Sequence, residues 1–490
     1  MRCRIYLIFI MFIKKLPYII YREFSWGGYL TDNRNFGYDT ATCSCIKVGD
    51  LIISKEGCIF YSLLKNISQS LNDIVCKVMS IFIDVPYEVL LKDAQDFYSK
   101  LAKKGFIYVD ELNVEANAFG YFSYAQTKPY LIDIEAEIES VPVSQVAANS
   151  YFLSRVHIDV SSRCNENCVH CYIPKVNKCD LMTEEMFDKI LAQCVSMRVL
   201  NITLSGGEPM LNPNLNSFLL KCQRANFSIN ILSNLTLLSE ELLEIIIANP
   251  LIGIQTSLYA MDEEVHDAIT CQKGSFQRTL EAIKRLHRYN VPMQINCPIM
   301  KQNFHYYREV LDFAASYNIE ASSDYTLFGC YDSSKNNLGC RVEMNDVETI
   351  LHFKYQNEHL FKEDIGAIEQ KKTDDEDSIC SICKSSLCVS NKGDVYPCEG
   401  LQRIVLGNLS SLTLKQIWEE LPLTKHLREL KYRDFQKCYV CSNRKYCTTC
   451  LVMNTNEHRN DYMVVNPYMC ELTGIKQNII EYLSLGMKNN

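Results

Sequence analysis

Two rhythms of apolar residues alternate between Arg155 and Asn357. Short runs with strand length and β-branched content occur at RVHIDVSS (155–162), VLNITLS (199–205), SINILS (228–233), IGIQTSLY (252–259), MQINCPI (293–299) and EASSDYTLF (320–328). Between them lie segments whose apolar residues recur three and four apart. In TEEMFDKILAQC, Met186, Phe187, Ile190, Leu191 and Cys194 share one helical face and Thr183 is placed to cap it. Further helices are predicted over 213–226, 239–249, 275–290, 304–318 and 345–357. Six β-α units in this order predict parallel strands joined by right-handed crossovers. A closed barrel takes eight such units and about 250 residues. The prediction is therefore a partial (β/α)6, TIM-like barrel, open on one side, occupying residues 151–370.

The pattern changes on either side. Residues 17–54 read as short strands broken at Gly and Asn turns. SQSLNDIVCKVMSIF (68–82) and PYEVLLKDAQDFYSKLAKKG (86–105) read as two amphipathic helices, with FIYVDEL (106–112) as a closing strand. Strands plus a helical pair over residues 1–115 predict a winged-helix-like module, followed by an acidic, irregular linker at 116–150. The charged stretch KKTDDEDS, Lys371 to Ser378, marks a second boundary, after which 371–490 form a small cysteine-rich domain. The nine apolar residues Ile5–Ile13 are too few to span a bilayer, which takes roughly 20, and no small-residue cleavage site follows them. They read as a buried strand or as sequence ahead of a true start at Met11, and the chain as a cytoplasmic protein without a membrane partner.

Composition adds two constraints. A net charge of −8 with no extended basic run argues against nucleic acid as a partner, because phosphate binding rests on clustered Lys and Arg. The 24 cysteines in a chain of 490 residues do not suit a small secreted disulfide scaffold; metal ligation fits those that cluster, and scattered ones such as Cys58, Cys76, Cys194 and Cys222 read as buried small hydrophobes. The clustered ones lie in two places. Cys164, Cys168 and Cys171 follow the first barrel strand at offsets of four and three, with no fourth cysteine beside them. Nine more, from Cys380 to Cys470, crowd into 91 residues. A zinc knuckle wants four ligands, whereas three thiols suit a [4Fe-4S] cluster with one iron left free. The other barrel strands also end in polar or unusual groups at Gly206-Gly207-Glu208-Pro209, Ser233-Asn234 and Ser257. Parallel β/α barrels carry their chemistry at that end.

From about Arg155 to the C-terminus these residues resemble the radical S-adenosylmethionine (SAM) enzymes. CNENCVHC matches that family's CxxxCxxC loop, and GGEP begins 35 residues after Cys171, where the family's glycine-rich motif ends the second strand. The resemblance implies a [4Fe-4S] cluster on Cys164, Cys168 and Cys171 that reduces SAM to a 5′-deoxyadenosyl radical. It implies that Gly206, Gly207, Glu208 and Pro209 meet the SAM amino group, that Ser233 and Asn234 lie near the ribose, and that Ser257 and Arg278 contact SAM. His170 takes the place of an aromatic beside the adenine, and Leu235 stands where the family has glycine.

The C-terminal block resembles the SPASM extension, which carries two auxiliary [4Fe-4S] clusters. GDVYPC supplies its Gly-x4-Cys, ending at Cys398, and Cys438-x2-Cys441-x5-Cys447 matches its later run, although Cys447 to Cys450 is one residue short of the family spacing. By resemblance Cys383, Cys388, Cys398 and Cys450 hold the nearer auxiliary cluster, with Cys380 competing for the place of Cys383. Cys438, Cys441, Cys447 and Cys470 hold the farther one. Two zinc ribbons are the alternative for this block. Glu399 stands where some relatives carry an acidic residue near the substrate, as a catalytic base or simply as an exposed side chain.

The N-terminal module resembles the leader-peptide recognition element of enzymes that modify ribosomally made peptides. Together these likenesses imply a peptide maturase that abstracts hydrogen from a precursor peptide bearing a leader and closes a thioether or carbon–carbon cross-link. A flavodoxin- or ferredoxin-type protein would supply electrons. Oxidation of a protein Cys or Ser, as in sulfatase maturation, is one alternative. An iron-sulfur electron carrier or regulator that never turns SAM over is another.

Overall fold

The computed structural model describes residues 11–37, 48–110, 151–370 and 376–488. Most of the apolar run Ile5–Ile13, the linker 116–150 and much of the charged stretch from Lys371 fall outside the described residues.

The N-terminal module contains strands β1 (Phe12–Lys15), β2 (Ile19–Phe24), β3 (Gly27–Asp32), β4 (Leu51–Ile53), β5 (Gln69–Ser70) and β6 (Ile107–Asp110). They form two three-stranded sheets, β5-β1-β6 and β2-β3-β4. Both expected helices are present, Leu71–Met79 and Tyr87–Lys103, and their apolar faces (Ile74, Val75, Val78; Leu90, Ala94, Tyr98, Leu101) close the module's own core. A third helix, Lys55–Ser62, is added; Ser54 caps it by accepting from Gly57 N at 3.0 Å.

The barrel follows as β7 (Arg155–Ser161), β8 (Asn201–Gly206), β9 (Ser228–Leu232), β10 (Ile252–Ser257), β11 (Met293–Asn296) and β12 (Glu320–Ser322), each pair of neighbours parallel. All six expected strands form, although β12 stops at Ser322. The expected helices form too. An extra one, Glu263–Thr270, sits between β10 and the helix Ser275–Arg288, capped by Asp262 accepting from Val265 N at 3.0 Å. On β7, Val156, Ile158 and Val160 are fully buried in the core that the strands share with the surrounding helices. Alternation therefore turns His157, Asp159 and Ser161 toward the barrel interior.

The C-terminal region does not stand apart as a separate layer. Its strands β13 (Ser386–Val389), β14 (Asp394–Tyr396) and β15 (Gly407–Asn408) extend the barrel sheet into nine strands, ordered β12-β11-β10-β9-β8-β7-β13-β14-β15. β13 runs parallel to β7 with Cys388 opposite His157, and turns back into β14 as a hairpin. A partly buried ion pair, Arg341 Nη2 to Glu457 Oε1 at 2.5 Å, ties the barrel to the helix Leu451–Glu457 that follows Cys450. The Arg341 guanidinium also lies 4.0 Å over the ring of Tyr468.

The module docks at the other end of the barrel, on the turns leading into β8, β9 and β10. Asn226 satisfies the outer edge of β2 like a short strand, accepting from Tyr21 N at 2.8 Å and donating to Ile19 O at 3.1 Å. Arg22, almost fully buried, donates to Val199 O at 2.8 Å and to Asn226 O at 3.0 Å. Ile20 and Tyr29 pack there against Leu200 and Leu251.

Candidate active site

β7 ends in a register shift between Asp159 and Ser161, and the chain turns into the cysteine loop. The end of β8 is zipped to that loop: Gly207 N donates to Ser161 O at 2.7 Å and Glu208 N to Arg163 O at 2.8 Å. This closeness is what the glycines permit. A Cβ on Gly206, at φ +118°, would sit 2.0 Å from Ser161 O, and one on Gly207 2.3 Å from Arg163 O. The side-chain space missing from both is filled by the cysteine loop itself.

Glu208 is completely buried. Oε1 accepts from Met210 N at 2.9 Å and Ser233 Oγ at 2.7 Å, and Oε2 from Asn234 N at 2.8 Å. Burial pushes its carboxyl up to about 7 against the pull of these donors. Its side chain thus latches β8 to β9, while the backbone around it remains at the strand ends. Asn234 Nδ2 donates to Asn165 Oδ1 at 3.0 Å and Asn165 Nδ2 to Thr236 Oγ1 at 2.7 Å, joining the β9 end to the cysteine loop. Leu235, at φ +62°, occupies the left-handed conformation that explains the family's glycine at this place.

On the cysteine loop two buried polar atoms, Glu166 Oε1 and His170 Nδ1, lack a protein partner. Burial raises the Glu166 carboxyl to about 7 and lowers the His170 imidazole to about 4, so the ring is neutral. His170 packs edge-on against Tyr259, ring centres 5.1 Å apart. Burial likewise raises Cys164 to about 11 and Cys168 well above a free thiol. Three half-exposed thiols beside unsatisfied buried acceptors and donors fit an iron cluster that carries a polar ligand. Arg278 acts on this loop through its charge, which helps lower Glu166, while its Nη2 donates to Lys273 O at 3.4 Å. Ser257 ends β10, level with Asn296 on β11.

The auxiliary cysteines fall into two groups. Cys438, pushed up to about 11 by burial, has Cys447, Cys470 and Cys441 as its next influences. Cys441 is exposed. Nearer the barrel, burial raises Cys383 to about 12 with Cys380 as a neighbour. Cys380 also acts on Cys450, and Cys450 on Cys398. Cys380 thus lies near both Cys383 and Cys450. Cys388 is fully buried and approaches Asp159 Oδ2 at 4.0 Å. Cys398 Sγ donates to Glu399 Oε2 at 3.3 Å, and Glu399 is exposed, near enough to act on His157 and Tyr172.

Sequence reasoning missed His157 and Asp159. Asp159 Oδ1 lies 3.1 Å from His157 Nε2, and Gln402 Nε2 donates to Asp159 Oδ2 at 2.8 Å. Burial pulls the His157 imidazole down, but the bond to Asp159 outweighs it and holds the ring above its ordinary value. The signal was present: a strand buried on both faces reads as a continuous apolar run, and RVHIDVS is interrupted at alternate positions.

Comparison with known proteins agrees with this layout. The model of the radical SAM superfamily matches residues 158–314, and that of the SPASM iron-sulfur cluster-binding domain matches 353–450. The AdoMet-dependent heme synthase of Methanosarcina barkeri is 26% identical over 346 residues, covering 65% of this chain and 96% of that protein. The antilisterial bacteriocin subtilosin biosynthesis protein AlbA of Bacillus subtilis is 24% identical over 314 residues, covering 61% and 68%. Among solved structures, Streptococcus suis SuiB bound to precursor peptide SuiA superimposes with a TM-score of 0.54 at 16% identity, covering 92% of this chain and 99% of that one. That likeness is one of fold. Among the described residues, no helix is long and apolar enough to cross a membrane.

Proposed function

Because this chain carries a radical SAM domain joined to a SPASM domain, with the SAM-binding [4Fe-4S] cluster and auxiliary iron-sulfur clusters those domains imply, we propose that it is a radical SAM enzyme maturing a ribosomally made precursor peptide. Cluster and SAM together supply one-electron chemistry, a 5′-deoxyadenosyl radical that takes a hydrogen atom from the peptide. The chain's own residues do the rest. Cys164, Cys168 and Cys171 hold the cluster; Glu166 and His170 offer partnerless polar atoms to SAM; Glu208 fixes the strand ends that surround it. After hydrogen abstraction the peptide still has one electron and one proton to lose before a thioether or carbon–carbon bond closes. Cys380, Cys383, Cys398 and Cys450 stand beside the interior to hold the acceptor of the electron, and Glu399 Oε2 is the group we assign to take the proton.

The N-terminal module carries this reading. A barrel acting on a small molecule needs no second binding domain, whereas this chain packs one against the barrel through Ile20, Tyr29, Leu200 and Leu251. With Asn226 sealing the outer edge of β2, the open edge of that sheet among the described residues is β4, where Ile52 is exposed. An extended leader would add there as a strand, main chain to main chain. The test is anaerobic incubation of the full chain with SAM, dithionite and synthetic peptides made from the short reading frames that neighbour its gene. We expect 5′-deoxyadenosine together with a peptide lighter by two hydrogens. A peptide that neither binds nor changes mass, while SAM is still cleaved, would overturn the assignment of substrate.

A further inference from the structure

Register alone assembles a cluster that nothing in the proposed reaction uses. β13 lies beside β7 with Cys388 opposite His157, and Asp159 is two residues further along the same face. Leu387 and Val389 join the apolar core with Val156 and Ile158, so Cys388 turns inward with His157 and Asp159. A ring nitrogen of His157, a carboxylate oxygen of Asp159 and the Cys388 sulfur lie within 4.8 Å of one another, the one such trio among the described residues. The separations are 3.1 Å from His157 Nε2 to Asp159 Oδ1 and 4.0 Å from Cys388 Sγ to Asp159 Oδ2. A tetrahedral zinc ion, with bonds of about 2.0 Å to nitrogen and oxygen and about 2.3 Å to sulfur, sets its ligand atoms roughly 3.3–3.8 Å apart.

We assign Cys380, Cys383, Cys398 and Cys450 to the nearer auxiliary site, and Cys388, which turns into the barrel beside Asp159, to a separate one, although Cys398 is near enough to act on it. We propose that His157, Asp159 and Cys388 bind one mononuclear divalent ion of the zinc class inside the barrel, its fourth position open to the interior. Mixed nitrogen, oxygen and sulfur ligation selects that class, and three protein ligands with one open position is the pattern of sites that bind a substrate atom. Gln402, bonded to Asp159, orients the carboxylate from the second layer. A thiolate or carbonyl oxygen of the bound peptide is the chemistry that fits the open position.

The experiment loads the full-length protein with iron and sulfide anaerobically, equilibrates it with one equivalent of zinc, desalts it and measures both metals by plasma mass spectrometry. We expect about twelve irons and about one zinc per chain. His157→Gln and Cys388→Ala should each keep the iron and retain at least about tenfold less zinc. Cys380→Ala should lose about four irons and keep its zinc. Loss of about four irons from Cys388→Ala would make Cys388 a cluster ligand and overturn the proposal. So would an unmodified protein that retains no zinc, or a His157→Gln variant that retains it fully. His157→Gln removes no thiol, so it decides the matter even where a cysteine variant fails to fold.

Discussion

The two cysteine regions are built in opposite ways. Cys164, Cys168 and Cys171 sit on one short loop, held by bonds from residues at the immediately neighbouring strand end, Gly207 N to Ser161 O and Glu208 N to Arg163 O. The nearer auxiliary group as we propose it draws Cys380 and Cys383 from before β13, Cys398 from beyond the β13–β14 hairpin and Cys450 from the start of a helix pinned by Arg341. A site confined to one loop is specified by spacing. A site gathered from distant segments depends on the packing that gathers them, and its membership shows only in three dimensions.

Removing the local site should have the largest effect. Replacement of Cys164, Cys168 and Cys171 together by Ala should abolish 5′-deoxyadenosine formation and remove about four of about twelve irons, leaving the auxiliary clusters in place. Iron falling to near zero would show that the two regions are not independent. Next come the auxiliary sites, nearer and farther. Cys398→Ala or Cys441→Ala, in soluble protein that keeps its barrel cluster, should still release 5′-deoxyadenosine with dithionite while losing the cross-linked peptide. Full product at the normal rate from either variant would remove the electron-acceptor role.

The packing that gathers the dispersed site is open to a smaller test. Glu457 is buried and Arg341 partly so, and Glu457→Gln removes the charge partner of a guanidinium that keeps Leu327 O as an acceptor, at a cost of about 1–3 kcal/mol in denaturant unfolding. Auxiliary iron should then be lost on warming before barrel iron; simultaneous loss would place the damage elsewhere.

The last test sharpens the local side. The Glu208 carboxyl is raised from 4.5 to about 7. A raised carboxyl stabilises the fold fully below the unfolded value, and that contribution is lost as pH rises through the folded one. Unfolding free energy should therefore fall by about 3 kcal/mol between pH 4.5 and 7 at this group, and Glu208→Gln should flatten that slope. A variant with an unchanged pH profile would mean that Glu208 stays ionised in the fold.

Much of the barrel was legible because each strand and helix carries its own period: Val156, Ile158 and Val160 on one side of β7, Phe187, Ile190 and Cys194 on one face of the next helix. The helix Glu263–Thr270 was missed although Asp262 and two glutamates mark its start, because eight residues give the period little room. β12 was drawn too long since it pairs only with β11, and beyond Ser322 that pairing thins to Ile299 N donating to Asp324 O at 2.8 Å. At the site, the motif cysteines and GGEP were found at once. The reason for the glycines was not, since only the structure shows Ser161 O and Arg163 O filling the missing side-chain space. His157 and Cys388 are neighbours through a pairing that no local pattern announces.

That pairing also bears on how the chain is made. β7 is among the first barrel strands to leave the ribosome, yet the strand that covers its outer side is more than two hundred residues behind it, as the 231-residue separation of Ser154 from its partner Ser385 shows. Until then β7 is a bare, strongly apolar edge, the kind of template that captures other chains. Contacts so distant in sequence make for slow closure. A barrel cut at residue 370 would keep every motif of the SAM site and still be an aggregating fragment, because its first strand would never be covered.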